Sequence, residues 1–93
     1  MDVRIIENRD KILETAARFG AHNVRIFGSQ LRNEETPHSD LDLLVEFEHP
    51  DLLDQIALKQ DLEDTLGIPV DILTDDVIHP LLKHRILREA RSL

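Results

Sequence analysis

The sequence predicts a small α/β (α+β) domain with a short mixed sheet and helices packed on one face. Three observations lead there. Helix-like and strand-like apolar patterns alternate along the chain, 93 residues suffice for one modest core, and no linker-like or low-complexity stretch divides them. A single domain over residues 1–93 is therefore expected.

The first helix is expected to open at Glu7 or Asn8 and run to Phe19, with Ile12, Leu13, Ala16 and Ala17 on one side and Gly20 as its stop. A strand follows near Asn23 to Phe27. Ser29 is placed to cap a short helix over Gln30 to Asn33, and a polar loop containing Pro37 reaches His38. The second strand runs from about Asp40 to Phe47. A long helix, Leu52 to Leu66, begins after His49-Pro50-Asp51 and ends at Gly67. Leu52, Ile56, Leu62 and Leu66 fall on one side of it, with Leu53 at the margin. A third, β-branched run lies within Ile68 to Leu73. The last helix starts at Pro80, a favoured first-turn residue, and carries Leu81, Leu82, Ile86 and Leu87. Asp75 and Asp76 are expected to begin or cap it, and Asp61, Glu63 and Asp64 to form the wet side of the long helix.

The parity of the second strand carries the chemistry. Leu41, Leu43, Val45 and Phe47 alternate with Asp40, Asp42, Leu44 and Glu46, and alternate strand residues face opposite ways. With the apolar set toward the core, Asp40 and Asp42 share the other face, roughly 6.5 to 7 Å apart at Cα. Two such anions repel unless a cation sits between them. Hard oxygen donors with room for water suit Mg2+ or Mn2+, and two such ions about 3.5 to 4 Å apart serve in-line phosphoryl displacement. By the same parity rule Asp71, between Val70 and Ile72, joins Asp40 and Asp42 on the open face.

Upstream, the apolar run Val24 to Phe27 leads into Gly28-Ser29. A turn of this kind presents backbone N–H groups that can hold phosphate oxygens. Gly28 permits close approach of the backbone, the Ser29 hydroxyl can donate, and Arg32 can add positive charge. Lys59 either reaches a triphosphate from the edge of the site or is simply solvated.

Taken together, GS, a basic residue three positions after the Ser, SDxDLLV and a later strand Asp resemble the minimal nucleotidyltransferase family of the DNA polymerase β-like superfamily. The resemblance spans almost the whole chain, departing in Leu31 where many relatives carry Ala. It implies a nucleotidyltransferase fold with the first two strands antiparallel. By position it implies nucleotide binding by Gly28, Ser29 and Arg32, and catalytic metal binding by Asp40, Asp42 and Asp71. Two Mg2+ ions, with Mn2+ as a substitute, and ATP as substrate follow from the same resemblance.

Composition bounds the partners. The net charge is −8, and residues 34–76 hold fourteen acids against the single base Lys59. Such a surface repels a phosphate backbone, so direct binding of long nucleic acid is not expected. Residues 77–93 reverse the balance with Lys83, Arg85, Arg88 and Arg91 against Glu89. That basic stripe serves either a partner or the helix dipole. No apolar run approaches the roughly 20 residues of a membrane span, no signal-peptide pattern opens the sequence, and cysteine is absent, so a cytoplasmic protein is expected. The five histidines lack zinc-site spacing and read as surface or loop residues.

The chain has no tyrosine, so any modified tyrosine belongs to another molecule. Members of this family of similar size are commonly antitoxins that AMPylate a tyrosine of a HEPN-domain ribonuclease toxin. The resemblance thus implies AMP transfer from ATP to such a toxin, with the two proteins forming a hetero-oligomer. The alternatives are a non-catalytic antitoxin that acts by binding alone, and transfer to a small hydroxylated molecule such as an aminoglycoside, for which no acceptor domain is seen.

Overall fold

Helical structure begins earlier than the apolar pattern predicts. In the computed structural model, which describes residues 1–49 and 51–93, helix α1 (Val3–Glu7) precedes α2 (Arg9–Arg18). Pro50, part of the expected lead-in to the long helix, lies outside the described residues. Asp2 caps α1 by accepting the Arg4 backbone N–H at 2.8 Å, and the Asn8 side-chain amide closes it on the Arg4 carbonyl at 2.7 Å. α1 is only five residues long, too short to show an apolar period, and it buries just Ile5. In α2 the buried residues are Ile12, Thr15 and Ala16; Ala17, expected on that side, faces outward.

The strands are β1 (Ala21–Phe27), β2 (Leu41–Phe47), β3 (Val70–Leu73) and β4 (Arg91–Ser92), in the order β3-β2-β1-β4. β1 pairs antiparallel with β2 and β4, while β2 and β3 are parallel, so the sheet is mixed as expected. β4 is a two-residue strand with no sequence pattern of its own. A parallel pair requires a crossover. Helix α4 (Leu52–Leu66) supplies it, capped by Asp51 on the Leu53 N–H at 2.8 Å and stopped by Gly67 at φ 68°.

Ile5, Ile12, Leu41, Leu43, Val45, Leu58, Leu62 and Val70 make the main core between the sheet and helices α1, α2 and α4. Which side of α4 faces that core differs from expectation. Leu58, Leu62 and Leu66 are buried, whereas Leu52, Leu53 and Ile56 are 69%, 75% and 54% exposed. The buried stripe steps i, i+4, i+8 from Leu58, and Leu52, Leu53 and Ile56 point away from it. Glu63 is not on a wet side either: its carboxylate accepts the Val70 N–H at 2.9 Å and ties β3 to α4.

The second sheet face is partly covered. Phe27, Leu44 and Ile78 form a smaller apolar cluster, packed against Leu73, Ile86 and Ala90. Asp75 and Asp76 form a 3-10 turn (Asp75–Val77) rather than starting the last helix. That helix, α5 (Pro80–Glu89), is capped by His79, whose Nδ1 accepts the Leu81 N–H at 3.1 Å. α5 buries none of its residues and touches the cluster chiefly through half-buried Ile86. Helix α3 (Gly28–Arg32) links β1 to the loop before β2.

Candidate active site

Register decides which side chains meet. Asp42 lies opposite Asp71 in the parallel pair and opposite Phe27 in the antiparallel pair, and residues opposite one another share a face. Strands in a sheet lie about 4.8 Å apart, so the Asp42 and Asp71 side chains stand as neighbours on the face away from the main core. Asp40 does not belong to the strand, which starts at Leu41 with its N–H bonded to the Pro69 carbonyl at 2.8 Å. Asp40 is exposed just ahead of it, close enough for its charge to act on Asp42.

The Gly28 turn sits against this pair. Gly28 is buried at φ +78°, and a Cβ built there would overlap Asp42 Oδ2 and lie 3.2 Å from its Cγ. Only glycine brings the chain this close to that carboxylate. Ser29 does not cap α3 as expected. Phe27 takes the N-cap position in extended conformation with no side-chain bond, and Ser29 falls inside the first turn. Its half-buried hydroxyl is thereby spared a capping role. Gln30 is buried, and its Oε1 accepts the Asp2 N–H at 2.9 Å, fixing α3 to the start of α1.

Positive charge reaches the site in two places. Arg32 is ion-paired with Glu89 and, at 3.1 Å, with Glu34, so its guanidinium is engaged by acids rather than turned freely toward the Gly28 turn. Lys59 of α4 stands 3.8 Å from Asp71. Of its two sequence readings, the geometry favours a place at the edge of the site. Glu89 is a residue that sequence reasoning missed, since its contact with Arg32 spans 57 positions and depends on how α5 folds back.

Burial, then the neighbouring charges of Asp71 and Asp40, push the Asp42 carboxyl up to about 6, against a smaller opposing pull from Arg32. A cation placed between these acids would relieve that repulsion. Among the described residues no three carboxylate or imidazole groups are gathered tightly enough to cage an ion by themselves. A Mg2+ or Mn2+ ion keeps water and takes substrate phosphate oxygens beside one or two carboxylates, so Asp42 and Asp71 as a facing pair fit such an ion. The histidines are not drawn in; His22, for instance, pairs with Glu46 at 3.4 Å at the far end of the strands. A cavity of about 260 Å³ also lies at that far end, lined by Val45, Glu46, Phe47 and Asp75 among others and by none of Asp40, Asp42 and Asp71.

Comparison with known proteins shows the family and the fold. Residues 9–93 match the family profile of the nucleotidyltransferase domain. A Methanocaldococcus jannaschii protein, provisionally named a protein adenylyltransferase, is 49% identical over 89 residues, covering 95% of this chain and 96% of that protein. The protein adenylyltransferase MntA of Thermococcus cleftensis is 39% identical over 77 residues, covering 82% and 78%. A solved structure described as a provisional minimal nucleotidyltransferase superposes with a TM-score of 0.86 at 45% identity, covering 100% of this chain and 97% of that one. A toxin–antitoxin crystal structure with AMP-PNP shares the fold at a TM-score of 0.78 and 20% identity, covering 91% and 71%. With a facing acid pair, a glycine turn pressed onto it and relatives matched nearly end to end, the chain belongs to the nucleotidyltransferase domain family.

Proposed function

We propose that this nucleotidyltransferase moves AMP from ATP to a tyrosine hydroxyl of a partner HEPN-domain ribonuclease toxin, and so serves as the antitoxin of a toxin–antitoxin pair in the cytoplasm. The observation that carries the transfer chemistry is the register pairing of Asp42 with Asp71 beside the Gly28 turn. The partner reading draws on the relatives. One at 39% identity is named protein adenylyltransferase MntA, and structures of the same fold include MntA–HepT toxin–antitoxin complexes.

In this reading the Gly28 and Ser29 backbone N–H groups and the Ser29 hydroxyl donate to triphosphate oxygens, and Arg32 adds charge once a phosphate competes it away from its acids. Asp40, Asp42 and Asp71 are the residues to hold Mg2+. Bound there, the metal would offset charge on the phosphates and acidify the acceptor hydroxyl. Asp71, on the edge strand, orients the acceptor. The acceptor oxygen attacks the α-phosphorus, a new P–O bond forms, and the bond to the oxygen bridging toward the β-phosphate breaks. Pyrophosphate leaves with that electron pair, and the hydroxyl proton passes to solvent. Positioning and charge neutralisation carry the rate.

Intact mass of the protein encoded beside this chain tests the proposal, after co-expression with wild type and with Asp42→Ala. One or more added AMP units found only with the wild type are expected. A partner that stays unmodified yet co-purifies equally with both would replace transfer by simple occlusion.

A further inference from the structure

Three apolar side chains near the start of α4 pack against no core. Leu52, Leu53 and Ile56 are 69%, 75% and 54% exposed, while the same helix buries Leu58, Leu62 and Leu66 to 0%, 0% and 3%. Contiguous exposed apolar side chains with a polar border are characteristic of interaction surfaces. This one is continuous with the site: a groove of about 160 Å³ is lined by Leu52, Gln55, Ile56, Lys59, Asp71 and Ile72. Its far wall is therefore the edge-strand acid assigned above to the acceptor.

Charge narrows the occupant. Asp51 and Asp54 flank the leucines along the chain, Asp54 is the acid of the first turn, and Lys59 is the only Lys or Arg between residues 34 and 76. A second copy of this chain would bring the same acids against themselves, and a nucleic acid would be repelled by them. A protein segment with apolar anchors edged by lysine or arginine complements both features.

Resting on the transfer reading above, we infer that the Leu52-Leu53-Ile56 face of α4 is the docking surface for the acceptor protein, which seats an apolar, basic-edged segment there and so brings its hydroxyl to Asp71. Docking would bury the leucines and place the acceptor on the opposite side of Asp42 from the Gly28 turn, leaving the turn for ATP.

The test uses the whole chain and, as probe, the purified protein encoded beside it. Complex affinity and the acceptor KM for AMP transfer are measured for wild type, Leu53→Glu and, as a control on another exposed leucine, Leu81→Glu of α5. Both positions are well exposed, and thermal unfolding with MgATP titration verifies that each variant is folded. Leu53→Glu is expected to weaken the complex by at least about 30-fold, as loss of an interface anchor does, and to raise the acceptor KM in step, with Leu81→Glu doing neither. Equal affinity of Leu53→Glu and wild type overturns the inference, as does a weakening seen with Leu81→Glu alone. So does a wild-type homodimer that Leu53→Glu dissociates without changing acceptor affinity. If the wild type binds the probe but transfers nothing, and Leu53→Glu still weakens binding, docking stands and the transfer reading falls. A wild type that binds no probe overturns both.

Discussion

Gly28 is pressed against the carboxylate of Asp42, with space for a hydrogen but none for a methyl group. The contact couples the glycine turn to the acid pair, so position 28 governs the geometry of both. Gly28→Ala is expected to lower transfer by at least about 100-fold, the scale of a misplaced catalytic group, and to destabilise the fold. Gly20→Ala is the control, because Gly20 has nearly the same φ, +76°, with nothing within 4 Å of a built Cβ. It carries the backbone strain alone, about 1 kcal/mol, and should leave transfer near the wild-type rate. Similar activity losses in the two variants would show that strain, not the Asp42 contact, explains the glycine.

Asp42 makes the metal-free protein less stable as pH rises. Its carboxyl is raised from 3.8 to about 6, so between those values the folded state holds a proton that the unfolded state has released. Stability from this group is therefore greatest below about pH 4 and declines until about pH 6, where the folded group has ionised too. The shift corresponds to about 3 kcal/mol at full weight, and solvent screening of a half-exposed carboxylate reduces it to about 1 kcal/mol. Asp42→Asn should stabilise the protein by about that amount at pH 7 in EDTA, and by nothing at pH 3.5. The same substitution should abolish transfer. Urea midpoints across this range check the first claim, and an Asn variant less stable than wild type at pH 7 would refute it.

Much of this site was legible in the sequence because strand parity is local. Asp42 and Asp71 each sit between apolar neighbours, and a two-residue period is enough to put them on the face away from the core. That they stand directly opposite one another depends on strand order and register, which no local pattern encodes. Glu89 and Lys59 entered the site through helices whose approach angles are tertiary facts. The same limit explains the misread face of α4, where leucines occur on more than one side and only packing chooses among them.

That choice makes a stability prediction. Leu58 is fully buried in the core, whereas Leu52, once expected to share that role, is largely exposed. Leu58→Ala should cost about 2–5 kcal/mol, enough to unfold much of a small domain, and Leu52→Ala no more than about 0.5 kcal/mol. Chemical denaturation of the two variants measures both. Comparable losses would mean that the first turns of α4 pack in solution and are not a free surface.

Arg32 and Glu89 offer a prediction in which two substitutions move in opposite directions. Arg32 is held by Glu89 and Glu34, and the ion pairs keep its guanidinium charged but occupied. If Arg32 contributes to triphosphate binding, it must leave at least Glu89, and that exchange sets part of the ATP affinity. Arg32→Ala should then raise the KM for ATP by about tenfold, the scale of one charge-assisted contact. Glu89→Gln should lower it, because the arginine is released and an anion that disfavours ionised Asp42 is removed. Both variants should remain folded, since these are exposed pairs worth little to stability. A bystander arginine would behave differently: Arg32→Ala would leave the KM unchanged, and any gain from Glu89→Gln would persist in the double variant. With Arg32 as the contact, the double variant instead loses most of that gain, retaining only the part that comes from the lower negative charge beside Asp42.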